Sequence, residues 1–188
     1  KILTTTIAIV LSIIMMEVLT RVIIDDGLNY EIEMLKYANQ LKKISNNLEI
    51  GIEHKKNIST NLMGVEVNLD ENGFRYSNNT KIKDSKKNKT IMMLGDSMTF
   101  GWGAQRTFSD VLFEKTSNYN VINAGIGNTN TRMQVENFFQ NFKNLYKYDV
   151  IILNFFINDL EKIEIKKPLF YEKYSYFYTF FSNTVNKT

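Results

Sequence analysis

The chain has 188 residues, of which 44% are hydrophobic and 23% are charged, so it is neither a disordered tail nor a collagen-like fibre. It has no cysteine and one histidine, which excludes a disulfide scaffold, a cysteine-ligated zinc site, a thiol nucleophile and a multi-histidine metal centre. Its 23 Lys and Arg are scattered among 20 Asp and Glu, so we predict no nucleic-acid partner.

An uncharged apolar segment, residues 2–16, opens the chain, and its apolar character continues beyond with only Glu17 and Arg21 interrupting it. A membrane-spanning helix needs roughly 20 mostly apolar residues. Glu17 and Arg21 are four residues apart, so on a helix they share a face and can pair. We therefore predict a transmembrane anchor over residues 1–24. A cleaved signal peptide and a buried helix of a soluble domain are the alternatives.

Residues 25–89 form a helical and extended membrane-proximal segment in this interpretation. Apolar residues at helix-like spacing predict an amphipathic helix over 29–49. Residues 50–62 are polar and predict a loop, and residues 63–69 alternate as in a short strand. A polar, lysine-rich surface connector is predicted at 77–90.

The remainder of the chain alternates short apolar runs with helical patterns. We predict strands near 91–94, 120–123 and 149–155, and helices over 108–116 and 131–146. Strands that alternate with helices predict an α/β fold with a parallel sheet covered on both faces, a three-layer α/β/α sandwich. In such sheets, ligands bind at the carboxyl ends of the strands.

Polar turns follow all three predicted strands. Ser97 comes after the first, at the expected start of a helix, where unpaired backbone N–H groups stabilise negative charge. The second turn offers the N–H of Gly125 or Gly127 to a substrate oxygen, and the third offers the side-chain NH₂ of Asn158. Each turn alone also has a structural explanation, as a capped helix start or an ordinary glycine turn.

In this order and spacing the three turns resemble the SGNH, or GDSL, hydrolase superfamily. The run GDSMTFGWG is similar to its first block, and Gly127 and Asn158 are similar to the glycine and asparagine of its second and third blocks. The resemblance implies a flavodoxin-like fold, Ser97 as nucleophile, and an oxyanion hole from the Ser97 N–H, Gly127 and Asn158. Asp96 and Asp159, next to two of these residues, are candidate supporting residues.

Upstream, the apolar helix with Glu-x-x-x-Arg and the runs EHKKN, LMGVEV and NGFR resemble the membrane-anchored bacterial branch of that superfamily. The chain departs from the family in two places. Phe156 stands where the third block usually has glycine, and no histidine follows Ser97 to supply the family's Asp-x-x-His block. We therefore expect residues 90–188 to be an incomplete or degenerate hydrolase-like domain. His54 is interpreted as a structural or surface residue.

The sequence thus favours a serine ester hydrolase that uses no cofactor or metal. One membrane span would hold the domain on the periplasmic or extracellular side. The substrate would be an acyl ester, either an O-acetyl group on cell-surface glycan or a lipid. The alternative is a non-catalytic membrane-anchored module that binds glycan or mediates assembly. The aromatic stretch at 171–183 predicts a helix packed on an apolar surface.

Overall fold

A computed structural model describes residues 1–77, 89–116 and 118–185. The lysine-rich connector predicted at 77–90 lies almost entirely outside these residues. The described part of the chain is a mixed α/β protein, with an apolar N-terminal helix, a two-stranded sheet and a six-stranded sheet.

The N-terminal helix α1 (Ile2–Leu19) continues through one π-helical turn (Thr20–Ile24). None of the residues of α1 is buried. The combined stretch is long and apolar enough to cross a membrane. The prediction of one continuous apolar helix is confirmed, and Arg21 Nε lies 2.7 Å from Glu17 Oε1, the pairing expected from their spacing.

This charged pair also holds the last helices of the described chain, α6 (Phe170–Tyr174) and α7 (Tyr176–Val185). The Glu17 carboxylate accepts hydrogen bonds from the backbone N–H groups of Tyr176 and Phe177, both at 3.1 Å. Arg21 donates to the Tyr174 carbonyl at 2.7 Å. A carboxylate at a helix start pairs with N–H groups that have no partner within the helix. The aromatic segment is therefore fixed to the end of the apolar helix.

The helix predicted over 29–49 is shorter in the structure. Helix α2 covers Tyr30–Gln40, and the Asn29 side chain caps it by accepting a hydrogen bond from the Ile32 N–H at 3.2 Å. The chain then enters strand β1 (Lys42–Ile44). The prediction was wrong beyond Gln40 because this stretch pairs with another strand, and helical spacing carries no information about that partner.

The polar residues 50–62, predicted to be a loop, contain two strands. Strand β2 (Ile52–His54) pairs antiparallel with β1, and β3 (Ile58–Leu62) is the first strand of the six-stranded sheet. Strand pairing satisfies the backbone N–H and C=O groups of a polar segment as well as those of an apolar one. The polar composition therefore misled the loop prediction.

The six-stranded sheet has the order β3-β4-β5-β7-β6-β8. Its further strands are β4 (Val65–Leu69), β5 (Arg75–Tyr76), β6 (Lys89–Leu94), β7 (Tyr119–Asn123) and β8 (Val150–Leu153). As predicted, β6 pairs in parallel with β7 and β8. The sheet as a whole is mixed and not purely parallel, because β3, β4, β5 and β7 also pair antiparallel in that order. The sheet also runs across the predicted boundary between 25–89 and 90–188.

The turn between β3 and β4 explains part of the antiparallel half. Its two residues, Met63 and Gly64, have φ angles of 51° and 72°. Two-residue turns with positive φ match the twist of a hairpin, so they place the two strands side by side in opposite directions.

The remaining helices are α3 (Ser97–Phe100), α4 (Phe108–Lys115), α5 (Thr131–Asn137), which continues as a π-helical turn (Phe138–Phe142), and a 3₁₀ helix (Ile157–Leu160). The helix predicted at 108–116 is confirmed, and the one at 131–146 is shorter.

Strand β6 is buried, and alternate side chains enter different clusters. Met92 and Leu94 pack with Phe138 and Phe142. Ile91 and Met93 pack with Val121, and Leu112 and Phe113 of α4 lie against them.

Candidate active site

The turns that follow β7, β6 and β8 lie side by side at one edge of the sheet. The Ile126 N–H donates to the Gly95 carbonyl at 3.0 Å, which joins the turn after β7 to the turn after β6. On the other side, the Asn154 N–H donates to the Leu94 carbonyl at 2.9 Å. These bonds extend the parallel pairing past the strand ends, so β6 and its Gly-Asp-Ser turn form the centre of the edge.

Ser97 is the first residue of α3, directly after this central turn. The Asp96 side chain caps the helix by accepting a hydrogen bond from the Met98 N–H at 2.9 Å. A Cβ atom at Gly95 would lie 2.0 Å from Thr99 Oγ1, so the turn requires glycine. Ser97 is partly exposed, and its hydroxyl makes no hydrogen bond to any described residue. Among the described residues, none is hydrogen-bonded to this hydroxyl as a base would be.

Gly127, the predicted second donor, is held by α2. Its N–H donates to the Tyr37 hydroxyl at 2.8 Å, and a Cβ atom at this position would lie 2.8 Å from the Tyr37 ring. The next residue, Asn128, is exposed and has a φ of 60°. Within the described chain its N–H makes no hydrogen bond. Asn128 was missed from the sequence because a left-handed asparagine leaves no compositional signal.

His54 is buried and connects to Gly127 through Tyr37. Its Nδ1 lies 2.9 Å from the Gly73 carbonyl, which can only accept, so Nδ1 carries the proton. Its Nε2 therefore accepts from the Tyr37 hydroxyl at 2.8 Å. Burial lowers the pKa of His54 to about 3 and raises the pKa of Tyr37. The imidazole is neutral with both nitrogens engaged, so these contacts are structural and do not provide a base for Ser97.

The third turn contains Asn158 and Asp159 in the short 3₁₀ helix. Asp159 is buried and accepts hydrogen bonds from the Phe156 N–H at 3.0 Å and the Gln134 side chain at 3.1 Å. Asn158 is partly exposed, and its buried Oδ1 has no hydrogen-bond partner among the described residues. Asp159 therefore fixes the turn, and the Asn158 side chain makes no hydrogen bond to any described residue.

A cavity of about 190 Å³ lies between the first and third turns and is lined by residues of both, together with Phe108. Three buried polar atoms of its lining residues have no partner in the described parts of the chain: Asp96 Oδ2, Thr99 Oγ1 and Asn154 Nδ2. Buried polar groups are nearly always paired, with protein, water or ligand. The residues on either side of Ser97 in the chain line this cavity, but Ser97, Gly127 and Asn158 are not among its lining residues. The cavity is the candidate substrate site because of its unpaired polar groups and its place at the same sheet edge.

No protein-family model matches the sequence, and no curated protein matches it. In the described ranges, no group of three or more histidine, aspartate or glutamate side chains is placed to hold a metal ion. The unpaired groups of the cavity lining are a hydroxyl, an amide and a carboxylate, which suit the binding of a polar ligand.

Proposed function

We propose that the chain is a membrane-anchored serine ester hydrolase of the SGNH type. Ser97 attacks the acyl carbonyl of a glycan O-acetyl group or a lipid ester. The oxyanion that forms is stabilised by the Ser97 N–H, the Asn158 amide and the backbone N–H of Asn128. The Gly127 N–H predicted for this role already donates to the Tyr37 hydroxyl. One observation carries the proposal: the turns bearing these residues adjoin at one sheet edge, beside a cavity with unpaired polar groups.

The proposal includes the three-layer α/β/α arrangement of that superfamily. Successive side chains of a strand point to opposite faces of its sheet. On β6, Met92 and Leu94 cluster with residues that follow α5, whereas Ile91 and Met93 cluster beside α4. Residues of helical segments thus pack against the side chains on each face of β6, which supports a sheet covered by helices on both sides.

The proposal also includes α1 as a single membrane span, with the domain on the periplasmic or extracellular side. The length and hydropathy of Ile2–Ile24 support the span. Lys1 precedes it, and basic residues are enriched on the cytoplasmic side of such helices. The two acidic residues Asp25 and Asp26 follow it on the domain side.

Hydrolysis through Ser97 needs a general base, which removes the hydroxyl proton as the serine oxygen bonds to the carbonyl carbon. The single histidine of the chain, His54, is committed to Tyr37 and Gly73. We propose that the base is a group that does not belong to the described residues. Without it, Ser97 remains a protonated, weakly nucleophilic hydroxyl at neutral pH.

Exogenous imidazole tests this proposal, because it can take the place of the missing base. The full chain in detergent should hydrolyse p-nitrophenyl acetate slowly, and imidazole should accelerate the reaction beyond its own background. Ser97→Ala should reduce the imidazole-dependent rate to that background. Ser59→Ala, on the exposed side of β3, is the matched control and should keep the acceleration. Equal rates for wild type and Ser97→Ala would refute the hydrolase proposal.

The second candidate function is a non-catalytic module that binds acylated glycan at the same edge. Two observations favour it. The Gly127 N–H is already bonded to Tyr37 and is not available to an oxyanion, and the Ser97 hydroxyl has no base among its described neighbours. Saturable binding of an O-acetylated glycan without any Ser97-dependent hydrolysis would support this alternative.

A further inference from the structure

A second and larger cavity lies beside the turn after β7, on the side of α2 and β1. Its volume is about 540 Å³, in the range of small-molecule sites. Asn128 lines it, together with six lysines and one glutamate: Lys42, Lys43, Lys55, Lys166, Lys167, Lys173 and Glu164. The charged residues of the lining are mostly positive and the rest of the lining is mainly apolar, although lysines and acidic residues are almost balanced over the whole chain.

Lys42 is the buried member of this group, with 9% of its surface exposed. Its Nζ lies 4.4 Å from the centre of the Tyr37 ring, and its one hydrogen bond to the described residues is a long one, 3.4 Å to the Gly127 carbonyl. No carboxylate of those residues lies within ion-pair distance of it. Burial lowers the pKa of Lys42 to about 8, so the amine is still mainly charged at pH 7. A buried ammonium without a counter-charge is costly.

The other lysines leave a positive excess at the mouth of the cavity. Lys43 pairs with Glu53 at 2.9 Å, but Lys166 and Lys167 are exposed and make no ion pair to any described residue. Glu164 is the acidic residue of the lining. An ammonium excess larger than one charge is matched better by a dianion than by a single carboxylate, and lysine is a common phosphate ligand.

We propose that this cavity binds a phosphoryl group, with Lys42 at its base and Lys166 and Lys167 at its rim. The phosphoryl group can be carried by a soluble ligand or by a phospholipid headgroup. Lys173, which also lines the cavity, belongs to α6, whose Tyr174 carbonyl is bound by Arg21 of the apolar helix. A headgroup beside that helix is therefore within reach of the site. The proposal does not depend on catalysis by Ser97.

Calorimetric titration of the full chain in detergent with inorganic phosphate tests the soluble source. Lys42→Met keeps the length of the buried stem and removes the charge, and should weaken binding at least about tenfold. The rim variant Lys166→Gln/Lys167→Gln leaves the buried residues intact and should weaken binding several-fold. Glu164→Gln should strengthen it. Lys115→Gln, on the exposed surface of α4 outside the cavity, is the control and should bind as wild type does.

Native mass spectrometry of the same proteins with phosphatidate and phosphatidylcholine tests the lipid source. The proposal with a lipid ligand is supported if wild type and Lys115→Gln retain phosphatidate. Lys42→Met and the rim variant should lose it. The same pattern in the phosphate titration supports it with a soluble ligand. The proposal is overturned if neither probe binds, or if binding is unchanged in both lysine variants. Ser97→Ala should not change either result, so failure of the hydrolase proposal is distinguishable from failure of this one.

Discussion

The Tyr37 hydroxyl donates a hydrogen bond to His54 Nε2 at 2.8 Å, and the same oxygen accepts one from the Gly127 N–H at 2.8 Å. One side chain of α2 therefore makes hydrogen bonds both to the single histidine and to a glycine of the candidate site. The hydroxyl, the imidazole and the glycine amide are all buried. This link makes α2 and β2 structural components of the sheet edge that carries Ser97.

Removing the Tyr37 hydroxyl should destabilise the fold. Tyr37→Phe keeps the ring packing but leaves His54 Nε2 and the Gly127 N–H buried without a partner. A buried group that loses its partner costs about 1–3 kcal/mol. Urea unfolding of the full chain in detergent measures the change. The exposed Tyr178→Phe is the control, and an unchanged free energy of unfolding in Tyr37→Phe would contradict the hydrogen-bond assignment.

Stability should fall with acid because of His54. Burial lowers its pKa from 6.5 to about 3, so between these values the unfolded chain binds a proton that the folded chain does not. The contribution of neutral His54 to the free energy of unfolding is therefore complete above pH 6.5. It decreases as the pH falls, by about 1.4 kcal/mol per pH unit at most.

The measurement is urea unfolding of wild type and His54→Gln at pH 6.5 and pH 5. The wild type should lose about 1.5 kcal/mol more than the variant, which has no imidazole to protonate. If the two proteins lose the same amount, or if the native imidazole titrates near pH 6.5 by NMR, the neutral buried state of His54 is wrong.

Asn158 should contribute to catalysis through its side-chain amide. In the imidazole-assisted reaction, Asn158→Ala should lower kcat by roughly 10²–10³-fold with a smaller change in KM, because an oxyanion donor acts in the transition state. The exposed Asn141→Ala is the control. A change in KM alone would indicate that Asn158 binds substrate but does not stabilise the oxyanion.

Gly125 should be intolerant of any side chain. A Cβ atom there would lie 2.3 Å from the Phe100 nitrogen, in the backbone of the helix that begins with Ser97. Gly125→Ala must push α3 away from the turn after β7, and we expect a loss of about 1–3 kcal/mol in the free energy of unfolding. Gly27→Ala is the comparison, because its φ is 78° but no atom lies within 4 Å of the added Cβ. It should cost about 1 kcal/mol. Gly125 has no positive φ, so its predicted loss comes from the contact alone, and an unchanged free energy of unfolding in Gly125→Ala would contradict that contact.

The sequence by itself determined the parallel strands β6, β7 and β8, the apolar helix and the edge at which Ser97 and Asn158 lie. Those features are local: a run of apolar residues forms a strand, and a polar turn, with glycine after β6 and β7, ends it. Parallel strands joined by helices then bring their carboxyl ends together.

Only the tertiary structure decided the antiparallel half of the sheet, the strands at Lys42–Ile44 and Ile52–His54, and the partner of Gly127. The polar strands form because each has a partner strand, and partner choice leaves no trace in local hydrophobic spacing. The Gly127 N–H meets a hydroxyl 90 residues earlier in the chain. Burying that hydroxyl becomes favourable only once α2, β2 and the turn after β7 have packed together, because only then do all three polar groups have partners.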